Sequence, residues 1–335
     1  MNAIVCKFGG TSVASSERIE RIIEILKRDE QRKCVVVSAP GKTPGATIKV
    51  TDLLIAAAEA ALDGKDTAKR AGEIKQRYID VYSPLGLDTE TIADELAVLD
   101  TRLHADASKP ARFRDAIVAS GEDMNARLLA RCLEENGLPA VYVSPKEAGL
   151  TVTSEYGNAQ PLPDIAVQMA SVKKQFSERI VVFPGFFGVT GDGHIATFSR
   201  GGSDLTGALL AEAVNAAEYE NWTDVDGILS ANPKMVDSPL LVPALTYREM
   251  RELSYIGFGV LHQEAVWPAM RKKIPIRLRN TQNLENTGTL IVAERLPDER
   301  DVIGIASGGE FCSITLQKYL MGREKGFGQR LLAIF

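Results

Sequence analysis

The chain has 335 residues, 45% hydrophobic and 25% charged, enough apolar content for one large core or two smaller ones. Lys and Arg number 39 against 44 Asp and Glu, a net charge of −5, which argues against a general binder of nucleic acid or anionic membrane, since no basic excess exists to neutralise phosphates. No apolar run approaches the ~18 residues of a membrane span, and the N-terminus lacks a signal peptide's basic start and apolar stretch, so the expectation is a cytoplasmic protein.

In chain order, residues 3–8 read as a first strand that runs into Lys7, Gly9, Gly10, Thr11 and Ser12. Glycines allow close backbone approach and the lysine calls for a negative partner. Ile19, Ile22, Ile23 and Leu26 follow helical spacing, with Glu17 and Glu20 near the start and Lys27 and Arg28 near the end, as a helix dipole prefers. Residues 34–38 form a second strand, ending in "SAPGKT" (38–43). A Walker A motif would need glycine where Val36 stands, so a P-loop is rejected. Residues 60–110 are polar and helical, an excursion over one side of a sheet. Met124, Leu128, Leu129, Cys132 and Leu133 line one helix face, which Gly137 stops. Further strands are expected at 140–143, 180–183, 218–222, 275–279 and Thr289–Val292, with a hairpin turning at Asp192-Gly193 and a capping box at Thr246 and Glu249. Strand–helix alternation over this length means an α/β fold with a largely parallel sheet. Cys6, Cys34, Cys132 and Cys312 form no CxxC pair and read as reduced core residues, and the isolated His104, His194 and His262 offer no transition-metal spacing.

Ligands in such sheets collect beyond the carboxyl ends of the strands, where the unusual residues fall. Arg200, Gly201, Gly202, Ser203 and Asp204 precede an alanine-rich helix. Alone they read either as an anion site at a helix N-terminus or as a glycine turn with Ser203 or Asp204 as N-cap. The lysine–glycine cluster after strand one favours the phosphate reading. Glu122 reads equally as an acidic first-turn residue or a ligand contact. Turn chemistry explains Asp226-Gly227 better than it explains Thr223-Asp224.

Together "KFGGTSV" (7–13), "SGE" (120–122), "RGGSDLT" (200–206), "TDVDGI" (223–228), "GVLH" (259–262) and "RLRNT" (277–281) resemble, in order and spacing, the amino-acid kinase family, and aspartate kinases in particular. The resemblance implies a three-layer αβα sandwich around a mostly parallel sheet of about eight strands. It implies transfer of phosphate from ATP, carried with Mg²⁺, to the side-chain carboxylate of L-aspartate, the first step toward lysine, threonine and methionine. Lys7 then resembles the catalytic lysine and Asp204 the aspartate that orients it. Thr51, Glu122, Arg200 and Ser203 resemble the aspartate-binding set. Lys7, Gly9, Gly10, Thr223, Asp224 and Lys234 resemble the nucleotide contacts. No metal-ligating residue is named, since Mg²⁺ prefers waters and phosphate oxygens to a protein cage.

Three features depart from the family pattern, the third being the end of the chain. Gly259 stands where many relatives carry a nucleotide-contacting lysine, and "ANPK" (231–234) replaces the more usual acidic-Pro-basic run. The catalytic domain is expected over 1–298. Residues 303–335 resemble the first strand and helix of an ACT regulatory domain, cut short, with its tail docked on a neighbouring chain or partly disordered. The resemblance further implies a homodimer weakened by loss of ACT domains, and weak or absent feedback by lysine or threonine. The alternatives are another superfamily member, such as glutamate 5-kinase or uridylate kinase, and a catalytically weak regulatory subunit.

Overall fold

The computed structural model describes residues 2–255, 261, 263–295, 302–306 and 314–334. The chain opens with β1 (Ile4–Phe8), a 3₁₀ turn at Gly10–Val13, α1 (Ser16–Lys27) and β2 (Arg32–Val37). A helical excursion follows: α2 (Val50–Leu62), α3 (Ala68–Tyr82), α4 (Thr89–Leu103), α5 (Pro110–Val118) and α6 (Ser120–Glu135). Next come β3 (Ala140–Tyr142), α7 (Pro145–Ala148), β4 (Thr151–Val152), α8 (Ile165–Met169), β5 (Ile180–Pro184), β6 (Phe187–Thr190) and β7 (Ile195–Thr197). The remainder is α9 (Gly202–Val214), β8 (Glu218–Thr223), β9 (Ala244–Thr246), α10 (Tyr247–Tyr255), α11 (Gln263–Arg271), β10 (Ile276–Asn280), β11 (Thr289–Val292) and α12 (Phe327–Leu332).

The described residues form an eight-stranded sheet in the order β3-β5-β2-β1-β8-β10-β11-β9, parallel at every pairing except β10–β11. Side chains alternate across it. Cys6, Phe8, Val35 and Val37 join a core with α1 to α6, whereas Val5, Cys34 and Val36 face a second core with α8 to α11. A parallel sheet covered on both faces must be apolar on both, which is why β1 and β2 read as near-continuous apolar runs. Burying each such Val, Ile or Phe contributes about 1.5–3 kcal/mol. Lys7 is the exception inside β1, on the α9 face, and only 9% exposed.

The expected strands of the large sheet fall within two residues of their observed bounds, and the mostly parallel αβα architecture is as expected. Gly137 takes φ +78° as Leu138 N–H closes back on the Leu133 carbonyl, ending α6. Thr246 and Glu249 exchange the two capping-box hydrogen bonds at 2.7 and 3.2 Å. The hairpin at 192–193 joins β6 to β7, but β4 pairs with β6 as well, giving a separate three-stranded sheet that periodicity did not reveal. Edge strand β9, three residues long, also escaped. Gly259, His262 and Cys312 lie outside the described residues, as do 296–301 and 307–313. In the C-terminal segment, residues 314–318 carry no strand and α12 is exposed.

Candidate active site

β1 lies between β2 and β8, so the chain leaves β1 to one side and returns on the other. Loops after these strands diverge there, leaving a crevice beyond their carboxyl ends. A cleft of about 530 Å³ occupies it. Its walls include Lys7 and Gly10 from β1 and its turn, residues 38–42 after β2, Thr51 of α2, Glu122 of α6, residues 199–204 at the start of α9, and Asp224 after β8.

One half of the cleft sets a lysine–aspartate pair beside a helix N-terminus. Lys7 Nζ lies 2.6 Å from Asp204 Oδ1, and Asn221 Nδ2 donates to the same oxygen at 2.9 Å. Lys7 is two residues after Val5 on the α9 face, and Asp204 sits in the first turn of α9 above it. Gly201, at φ +77°, turns the chain into that helix, and Ser203 and Asp204 lie inside its first turn. Neither caps it, against the capping alternative for these residues. The first turn of α9, without a side-chain cap, lines the cleft beside Lys7, as an anion site requires. Gly10 and Gly41 bring two strand-end loops together: Gly41 N–H donates to the Gly10 carbonyl at 2.8 Å, and a Cβ on Gly41 would stand 2.8 Å from the Gly10 carbonyl carbon.

The other half holds a buried carboxylate. Glu122 is 5% exposed; its Oε1 accepts from Ala39 N–H at 3.0 Å, and its Oε2, also buried, has no partner. Burial outweighs that one hydrogen bond and raises the carboxyl's pKa from its ordinary value to about 8. Gly121 permits the arrangement, since a Cβ there would lie 2.8 Å from the Ala39 methyl. Tyr78 of α3 fixes the turn by donating to the Gly121 carbonyl at 2.7 Å. A carboxylate oxygen held dry and unpartnered at a cleft wall is complementary to an ammonium group. Arg200 is exposed at the rim and makes no salt bridge among the described residues, leaving its planar fork available for a carboxylate.

The structure thus brings Lys7, Gly10, Thr51, Glu122, Arg200, Ser203, Asp204 and Asp224 to one cleft. Gly9 supports it from behind, donating its N–H to the Trp222 carbonyl. The Thr223 hydroxyl donates to Asp224 Oδ1 at 3.2 Å and does not line the cleft, and neither does the exposed Lys234. Sequence reasoning passed over Asn221, Lys42 and Lys49. Asn221 had no signal beyond its place on β8. Lys42 and Lys49 follow a strand end next to the glycine cluster, a position that could have singled them out.

The sequence pattern of the amino acid kinase family matches residues 2–280. Over 330 residues the chain is 47% identical to aspartokinase 3 of Bacillus subtilis, covering 98% of this chain and 72% of that protein. Its fold matches the aspartate kinase of Clostridium acetobutylicum with a TM-score of 0.81 at 32% identity, covering 99% of this chain and 73% of the other. It also matches aspartokinase III of E. coli in complex with aspartate and ADP, with a TM-score of 0.77 at 28% identity, covering 88% of this chain and 65% of the other.

Proposed function

The chain belongs to the amino acid kinase family, and we propose that it is an aspartate kinase, transferring the γ-phosphoryl group of ATP to the side-chain carboxylate of L-aspartate. The products are 4-phospho-L-aspartate and ADP, at the entry to amino-acid biosynthesis. The observation that carries this reading is the unpartnered Oε2 of Glu122 in the same cleft as the Lys7–Asp204 pair. A nucleotide acceptor has no α-ammonium to satisfy that oxygen; an amino acid does.

The acceptor carboxylate, with an ordinary pKa near ~4, is already ionised at neutral pH and needs no general base. The obstacle is bringing two anions into line. Lys7, held by Asp204, and the N-terminal amides of α9 offset charge on the transferring group. Glu122 holds the ammonium and Arg200 a carboxylate, fixing the attack geometry. Magnesium enters as part of the nucleotide substrate. Gly10 and Asp224 border the phosphates in this reading, with Gly9 behind them, and Thr51 and Ser203 border the acceptor.

The test is ATP-dependent aspartyl hydroxamate formation by the wild-type chain, Lys7→Ala and Glu122→Ala. Aspartate-dependent signal that both substitutions abolish supports the reading. ATP binding with no hydroxamate from the wild type, or equal turnover with uridine monophosphate, would sink it.

A further inference from the structure

Residues 41–49, between β2 and α2, carry Lys42 and Lys49 to the cleft wall, and neither side chain makes a salt bridge among the described residues. Lys49 is the N-cap residue of α2, with no capping side-chain hydrogen bond. Asp52 in the first turn of α2 answers the helix's positive end, so the Lys49 cation, without an ion-pair partner among the described residues, is left to meet an anion in the cleft. The segment adjoins the acceptor half: Ala39, just before it, donates to Glu122, and Thr51, just after it, lines the same wall.

Both ends of the segment are held by one side chain. Arg77 of α3 donates Nη2 to the Gly41 carbonyl at 2.8 Å and Nη1 to the Ile48 carbonyl at 2.9 Å. Arg77 has no carboxylate partner among the described residues, so its guanidinium serves the two carbonyls. The next residue, Tyr78, holds the Gly121 carbonyl beside Glu122. Consecutive residues of α3 therefore fasten both banks of the acceptor half.

We propose that residues 41–49 form a cationic arm that attracts and orients the carboxylates of the acceptor amino acid through Lys42 and Lys49, with Arg77 as the positioning residue that holds the arm closed. The inference rests on the aspartate kinase reading. A lysine at 77 would keep the charge but could not span two carbonyls with a planar fork.

The experiment measures steady-state kinetics and amide hydrogen exchange for wild type, Arg77→Gln, Arg77→Lys, Lys42→Ala and Lys49→Ala. Arg77→Gln should raise KM for aspartate about tenfold by misplacing the arm, leave KM for ATP unchanged and speed exchange within 42–49 while β1 and β2 stay protected. Arg77→Lys should not rescue it. Each lysine substitution should raise KM for aspartate in the wild-type background, and less in the Arg77→Gln background, because the two act through one segment. Unchanged KM for aspartate in Arg77→Gln overturns the proposal, whether or not exchange in the arm rises, as does an equal rise in KM for ATP. A wild-type chain without aspartate-dependent turnover would overturn the functional reading and the acceptor role of the arm together, while exchange still decides whether Arg77 is the clamp.

Discussion

Glu122 and Glu220 are equally inaccessible carboxylates with opposite surroundings. Glu220, 2% exposed, takes Arg32 Nε and Nη2 at 2.8 and 2.9 Å and Trp222 Nε1 at 2.9 Å, and Arg279 stands at 3.4 Å. Burial pushes its pKa up, but the Arg32 hydrogen bonds and charge outweigh it and leave the carboxyl below its ordinary value. Glu122 has one backbone donor and a bare oxygen, and its carboxyl rises to about 8. Burial alone therefore does not distinguish a structural acid from one waiting for a ligand. The count of satisfied oxygens does. Glu220 ties β8 to β2 and, through Arg32 Nη1 on the Ile25 carbonyl, to α1; Glu122 ties little and faces a cleft.

The largest effect should fall on the paired acid. Arg32→Ala strands Glu220 in the core and should cost about 3–5 kcal/mol in urea unfolding. If Glu122→Gln destabilises the chain as much, the contrast fails. Lys7→Ala should lower kcat about 10²–10³-fold in the hydroxamate assay, the scale of losing one charge at a transferring group. Glu122→Gln should raise KM for aspartate about 10- to 100-fold, the worth of a charge-assisted hydrogen bond, with a smaller change in KM for ATP.

The pH dependences should have opposite signs. Glu122 is protonated in the free protein below about 8, and an ammonium ligand binds its ionised form, so KM for aspartate should fall as pH rises toward about 8. In Glu122→Gln that slope should vanish. Stability follows the same logic. The raised pKa of Glu122 makes a contribution that is full below its unfolded value and lost as pH rises through about 8. The lowered pKa of Glu220 makes one that is present above its unfolded value and lost as pH falls through the folded value. Urea midpoints should show Glu122→Gln gaining on wild type as pH rises from the ordinary carboxylate range to about 8 and holding that gain above it.

Much of the fold was legible because a parallel sheet covered on both faces writes itself as apolar runs separated by helical periods. The runs at β1, β2 and β5 are of that kind, and the glycine and charge clusters stand where such strands end. β4 and β9, two and three residues long, carry too few positions for a period to register, whereas the equally short β3 stood out as an apolar run bounded by a glycine–proline turn and a second proline. The motif residues Lys7, Glu122, Arg200 and Asp204 stood out by type and by family resemblance.

Apart from the Lys7–Asp204 pairing that the family resemblance implied, what those residues are in contact with was not legible, because contact depends on elements far apart in the chain. The sequence by itself determined that a lysine would sit inside an apolar strand; the packing of α9 over β1 and β8 added Asn221 to the same Asp204 oxygen. It placed a glutamate after Gly121; only the meeting of α6, α3 and the end of β2 left one of its oxygens dry and unpartnered. Arg77 looked like any charged position on an amphipathic helix until the fold set two backbone carbonyls under its guanidinium. Local sequence fixes periodicity and turn chemistry, which act over a few residues. Desolvation and hydrogen-bond satisfaction are set by every neighbour at once, and those neighbours are chosen by tertiary packing.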